Sequence, residues 1–177
     1  MAAVIIWING PFGVGKTTTV AQLRGLLPDA LVFDTESIGY AIHPTLATEY
    51  PVGDFQDWPV WREGVVAVLA SLHRFTGRPV IVPQTVIVED YWIEVAGGLH
   101  AAGITLAAFT LHASADEHER RIAGDTAEPA STAQWRRERA ADFRKALGWL
   151  RQRTSVIDTD GRTPAEVAAL VVAGLPA

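Results

Sequence analysis

The sequence predicts an α/β fold in which one parallel sheet lies between two layers of helices. Three observations carry this. Short apolar runs alternate with longer helix-compatible stretches along all 177 residues. The apolar runs are continuous rather than alternating, as expected of strands buried on both faces. The first run, Ala3-Val4-Ile5-Ile6-Trp7-Ile8, leads straight into Gly10-Pro11-Phe12-Gly13-Val14-Gly15-Lys16-Thr17, which fits the phosphate-binding pattern G-x-x-x-x-G-K-[ST] at every fixed position.

The elements follow in order. Strands are expected at 3–8, 31–34, 79–83, 104–110 and 154–158, each short and rich in Val, Ile, Leu or Phe. Helices are expected near 16–27, 60–75, 90–101, 115–123, 132–150 and 163–174. The last opens on Thr163 as N-cap, Pro164 at the first helical position and Glu166 three residues after the cap. Segments 43–59 and 123–132 hold the turn formers and read as loops. With no internal repeat or interdomain linker, residues 1–177 read as a single domain, with a lid segment within 120–145.

Bulk composition sets limits. A hydrophobic fraction of 49% and a charged fraction of 20% are those of a globular protein. No cysteine is present, which excludes disulfides and cysteine-based metal sites and suits the cytoplasm. A net charge of −5 argues against nonspecific nucleic-acid binding. Residues 95–115 lack Asp, Glu, Lys and Arg, but Gly97, Gly98, Gly103, His100 and His112 make them a helix end, a turn and a buried strand rather than a membrane span. Peripheral membrane association stays open, as do monomer and homodimer.

The glycine-rich run has a direct chemical reading. A strand, a tight turn and a helix point backbone N–H groups and the positive helix end at one spot, which suits a phosphate. Gly10, Gly13, Val14 and Gly15 form the cradle with the amides of Lys16, Thr17 and Thr18. Lys16 neutralises β/γ-phosphate charge and the Thr17 hydroxyl holds Mg²⁺. A nucleoside triphosphate is therefore the expected cosubstrate.

Ligands of open α/β sheets sit at the carboxyl ends of the strands. After the second strand come Asp34 and Glu36. Asp34 is the candidate general base or metal-water ligand, and Glu36 the candidate for orienting substrate. Equally, Asp34 or Thr35 caps a helix and Glu36 complements its dipole. The third strand ends in Pro83-Gln84-Thr85, without the Asp that a Walker B strand supplies for Mg²⁺. A mechanical motor or a GTPase switch is thereby disfavoured, and Gln84 becomes a candidate phosphate or water contact.

Residues 53–62, Gly-Asp-Phe-Gln-Asp-Trp-Pro-Val-Trp-Arg, concentrate aromatic and polar groups. They suit a small-molecule pocket with Asp54, Trp61 and Arg62 as contacts. The alternative has Trp58 and Trp61 stapling a helix start to the core. Nine of the fifteen Lys and Arg residues fall between Arg120 and Arg153. Arg121 is the candidate to cover base or phosphates, and Arg136, Arg137 and Arg139 the candidates to close over the transferring group. Interleaved acids equally make this a solvated helix face. The five histidines show no metal-ligand spacing and read as structural or solvated.

Taken together, the chain resembles the tunicamycin-resistance family of small P-loop proteins. The resemblance rests on Ile5-Ile6-Trp7-Ile8-Asn9-Gly10 leading the loop, Asp54-Phe55-Gln56 with Pro59-x-Trp61-Arg62, Ile81-Val82-Pro83-x-Thr85, and Phe109-Thr110-Leu111. It implies the fold of nucleoside-monophosphate-kinase-like phosphotransferases, a three-layer sandwich with a five-stranded parallel sheet in order 2-3-1-4-5. It also implies ATP binding and protection against tunicamycin, a nucleoside antibiotic, by phosphorylation or by sequestration. Family members have been associated with membranes. The Phe33-Asp34-Thr35-Glu36 stretch is also similar to the D-x-[DE] stretch of shikimate kinases, whose first Asp serves metal and catalysis. The chain departs from the family at Ala123-Gly124-Asp125, where basic residues are usual, and the resemblance fades from about 125. The expected activity is an Mg²⁺/ATP-dependent phosphotransfer to a hydroxyl of a small, nucleoside-like molecule; the alternative is an ATP-binding protein that sequesters a drug without modifying it.

Overall fold

The computed structural model describes residues 4–124 and 131–176. Its centre is a five-stranded parallel sheet in the order β2-β3-β1-β4-β5. The strands are β1 (Ile5–Asn9), β2 (Leu31–Val32), β3 (Val80–Pro83), β4 (Leu106–His112) and β5 (Ser155–Asp158). In register, Ile5 lies beside Val80 on one side and Leu106 on the other. The order and parallel sense are those the resemblance implies.

Every residue of β1 is buried, because the sheet is covered on both faces and side chains alternate between them. Val4, Ile6 and Ile8 meet Val20 and Leu23 of α1 (Lys16–Leu26) and Val167 and Val171 of α7 (Pro164–Ala173). Ile5 and Trp7 point the other way, to Trp61, Val65 and Leu69 of α3 (Pro59–Thr76) and Trp92, Val95 and Leu99 of α4 (Glu89–Ala101). Trp7 and Trp92 meet edge to face at 5.5 Å. Two apolar clusters on opposite faces of one sheet make the three-layer sandwich.

The capping box expected at α7 is present. Thr163 Oγ1 accepts the Glu166 N–H at 3.3 Å, and Glu166 Oε2 accepts the Thr163 N–H at 2.8 Å. Residues 95–115 divide into the end of α4, a turn and the whole of β4, as expected, and reach the first residue of α5. No helix among the described residues is long and apolar enough to cross a membrane.

Two expectations need correction. The second strand ends at Val32 rather than at 34, because the Asp34 carbonyl and carboxylate turn instead to the start of a helix. That helix, α2 (Glu36–Leu46), takes in residues read as the start of a loop, and Pro44 is accommodated within it. A 3₁₀ turn, η1 (Phe55–Asp57), lies farther along the same segment. α2 and η1 meet where Gly39 lies against Phe55: a Cβ at Gly39 would come within 2.0 Å of the ring. Gly39→Ala is therefore expected to destabilise the fold by about 1–3 kcal/mol through overpacking, read as a lower Tm in thermal unfolding.

α5 (Ala115–Gly124) and α6 (Ser131–Arg153) bracket 125–130, so the middle of the expected lid lies outside the described residues. The lower half of α6 packs through Phe143, Ala146 and Leu150 around Ile87.

Candidate active site

The loop between β1 and α1 is set by Asn9. Its side chain is fully buried, accepts the N–H groups of Gly10 and Val86 at 2.9 and 3.0 Å, and donates to the Val86 carbonyl at 2.9 Å. One side chain thus ties the loop's entry to the segment after β3. Thr85 adds a second tie, its hydroxyl donating to the Gly10 carbonyl at 2.7 Å. Asn9→Ala would strand three buried polar groups. About 3 kcal/mol or more of stability is the expected loss, measured by urea unfolding.

Glycine is required at two loop positions. At Gly10 a Cβ would meet Val14 Cγ1 at 2.8 Å and the Leu111 carbonyl at 3.0 Å. Gly15 has φ 105° and caps α1 from the left-handed region. Thr17 and Thr18 emerge exposed on the first turn of α1, where backbone N–H groups lack intrahelical acceptors. Thr18 Oγ1 is held on the Gly15 carbonyl at 2.9 Å. Lys16 folds back over the loop, its Nζ donating to the carbonyls of Gly10 and Pro11 at 2.7 and 3.0 Å and lying 5.2 Å from the Phe12 ring centre. Burial lowers its pKa to about 7, against the opposing pull of the Glu36 charge.

α5 braces the loop from the other side. Buried His118 pairs Nε2 with the Phe12 carbonyl at 2.6 Å. Arg121 donates to the Val14 carbonyl at 2.8 Å, to Thr159 Oγ1 at 3.0 Å and to the Thr159 carbonyl at 2.9 Å, while its Nε holds Glu117. A cavity of about 410 Å³ opens here, lined by Gly13, Val14, Gly15, Thr18, Arg121, Thr159 and Arg162 among others. From the sequence His118 reads only as structural or solvated, and the 157–162 turn that holds Thr159 reads as a backbone contact for adenine or as a plain strand–helix turn.

A second cavity, about 560 Å³, lies across Phe12. Glu36, His43, Gly53, Asp54, Phe55 and Trp58 line much of it. Glu36 is half-buried, and its carboxyl is pushed up first by burial, then by the charges of Asp34 and Asp54, while Tyr40 and Lys16 pull it down. Asp34 is exposed and spends Oδ1 on the Glu36 N–H at 2.9 Å, which is the helix-start alternative. Asp54 caps η1 by accepting the Gln56 N–H at 3.0 Å.

Three candidates do not stand in the cavity. Trp61 is 1% exposed, with its indole N–H on the Thr35 carbonyl at 3.2 Å, so it staples the helix to the core while Trp58 takes the cavity wall. Arg62 is buried, forks onto Glu94 at 2.6 and 3.2 Å, donates to the Gln56 carbonyl at 2.5 Å and lies over the Tyr91 ring at 4.2 Å. It positions η1 rather than a ligand. Gln84 is buried behind the loop, receiving the Trp7 indole N–H on its carbonyl at 3.1 Å. The spacing showed a dense polar and aromatic segment; which side chains turn inward was settled by packing on α4.

Among the lid arginines, Arg137 pairs with Glu119 and Arg139 lines a recess of about 100 Å³ with Phe12, Asp54 and Thr85. The Arg136 side chain lies outside the described residues. Among the described residues no group of three or more His, Cys, Asp or Glu could hold a metal. A metal site here would draw on Thr17, Asp34 and phosphate oxygens.

A strand–loop–helix cradle with its lysine, at the carboxyl end of a 2-3-1-4-5 sheet, defines a P-loop kinase-like fold, and the loop implies nucleotide binding. The chain belongs to the AAA domain family AAA_33, which matches residues 5–148. Among solved structures it is similar to the tunicamycin resistance protein of Deinococcus radiodurans, with 29% identity, a TM-score of 0.74, and coverage of 97% of this chain and 94% of that one. A sugar kinase from Janibacter sp. HTCC2649 shares the fold at 18% identity and TM-score 0.68, covering 97% and 93%. So does the shikimate kinase of Acinetobacter baumannii, at 18% identity and TM-score 0.61, covering 96% and 91%. No curated protein matches the chain.

Proposed function

We propose that this protein is a small-molecule kinase that transfers a phosphoryl group from ATP to an alcohol. The carrying observation is the placement of the P-loop between two cavities, with Lys16 and Glu36 close enough to shift one another's titration. The loop fits a polyphosphate: Gly10 leaves no room for a side chain, and the Lys16 ammonium donates to the Gly10 and Pro11 carbonyls, which a phosphate can replace.

In this reading Lys16 and the loop amides bind the phosphates, and Arg121, Thr159 and Arg162 wall the nucleoside end. Thr17, with Asp34 through water, would hold Mg²⁺, which when bound neutralises charge on the phosphate oxygens. Glu36 accepts the proton of the acceptor hydroxyl. Asp34 keeps the α2 start, and therefore Glu36, in place. Arg139 stands beside Phe12 to offset charge on the transferred group. Phe55 and Trp58 line the cavity that would receive the acceptor. The similarity to a tunicamycin resistance protein makes tunicamycin the first acceptor to try.

The test is mass spectrometry of tunicamycin and a panel of nucleosides, sugars and amino sugars incubated with protein, Mg²⁺ and ATP, beside a Lys16→Ala control. A gain of one phosphate absent from the control is expected. ATP binding with no modified compound would favour sequestration instead.

A further inference from the structure

Resting on the kinase reading of this site, we infer that the acceptor is a cation, a hydroxylated amine of the amino-sugar or aminocyclitol class. The charged side chains lining the 560 Å³ cavity are Glu36 and Asp54, both carboxylates. No lysine or arginine lines it among the described residues. Lys16 holds its ammonium on the Gly10 and Pro11 carbonyls, and Arg139 opens onto the smaller recess across Phe12. A carboxylate- or phosphate-bearing acceptor would enter this cavity against two like charges, with no Lys or Arg among its described lining residues to anchor it.

The opposite charge meets two favourable features. Asp54 uses Oδ1 to cap η1, and a carboxylate has further acceptor sites to offer. Phe55 and Trp58 stack at 5.9 Å and 19° and hold His43 at about 6 Å from both rings. Aromatic faces attract an ammonium, and more strongly where it is desolvated. The volume suits a sugar-sized ligand or one somewhat larger.

The chemistry balances without any further reactant. The acceptor hydroxyl oxygen forms a bond to the γ-phosphorus as the bond to the β–γ bridging oxygen breaks. The electron pair leaves with the nucleoside diphosphate, and the hydroxyl proton passes to the Glu36 carboxylate. The amine stays protonated throughout.

The experiment compares glucosamine, 2-deoxystreptamine and neamine with their N-acetylated forms, with glucose and gluconate, and with tunicamycin. Binding is measured by calorimetry in the presence of a non-hydrolysable ATP analogue, and transfer by mass spectrometry with ATP. The free amines are expected to bind and to gain one phosphate, and N-acetylation to weaken binding about tenfold or more. Asp54→Asn keeps an oxygen for the η1 cap and is expected to raise KM for the amine about tenfold while sparing KM for ATP. Binding of the free amines over their acetylated forms without phosphate gain would uphold the cation site and overturn the kinase reading. Transfer to tunicamycin, glucose or gluconate equal to or better than to the amines would uphold the kinase and overturn the cation site. Failure of every amine to bind would overturn the cation site as well.

Discussion

Lys16→Ala is expected to lower ATP-dependent product formation by about 10²–10³-fold or more, the scale set by deleting one preorganised donor to a developing phosphate charge. The same lysine has a second, pH-dependent signature. Burial brings it to about 7 in the free protein, so it is protonated below that pH and neutral above it. A triphosphate binds the charged form and raises its pKa again. Nucleotide affinity should therefore fall as pH rises above about 7, by at most tenfold per pH unit for one linked proton. Calorimetry in buffers of different ionisation enthalpy would detect the proton taken up on binding, and Lys16→Arg, always charged, should abolish the uptake.

Stability moves in the linked direction. The lysine titrates near 10.5 when unfolded and about 7 when folded, so between those values the unfolded chain binds more protons and stability from this group rises with pH. Below 7 both states carry the proton and the cost of enclosing the ammonium is fully present. Lys16→Met should accordingly raise the Tm of the nucleotide-free protein most at pH 6–7, with the gain shrinking toward pH 10. No such gain at pH 6 would mean that the ammonium is not enclosed by the loop in solution.

Much of this site could be read from the chain because the P-loop is local. Its glycines, lysine and threonine act through backbone geometry within eight residues, and the flanking strand and helix follow from their apolar runs. The central strands were legible for a related reason: β1 and β3 are apolar runs buried at nearly every residue, so their pattern is continuous. α2 was not. His43 and Pro44 read as loop and Gly39 falls in no expected element, yet α2 runs through all three, its first N–H held by the Asp34 carboxylate and its Gly39 packed against Phe55. The segment 53–62 shows the deeper limit. Trp58 and Trp61 lie three residues apart and are chemically alike; only packing against Thr35 and α4 puts one at the cavity wall and the other in the core. Arg62 looks like a ligand contact by type, but its fork on Glu94 and Gln56 is a long-range pairing that no local spacing encodes.

The two carboxylates after β2 separate by experiment. Glu36→Gln is expected to lower kcat by about 10²–10⁴, the range for removing a general base, with nucleotide affinity unchanged. Asp34→Asn should cost less, because asparagine keeps an oxygen for the Glu36 N–H and for a metal-bound water. Its effect should appear in pH dependence. Glu36 must be ionised to act, so the rate falls as pH drops through its raised pKa. Removing the Asp34 charge lowers that pKa, since it is one of the charges that raise it after burial. The acid limb of kcat for Asp34→Asn should therefore move to lower pH, and Asp54→Asn should move it the same way. Were Asp34 itself the base, its asparagine variant would lose the rate at every pH and Glu36→Gln would retain it. The outcome assigns the proton transfer to one side chain, because the group that takes the proton loses its rate at every pH when made neutral, whereas a neighbour that acts through its charge shifts the profile along the pH axis.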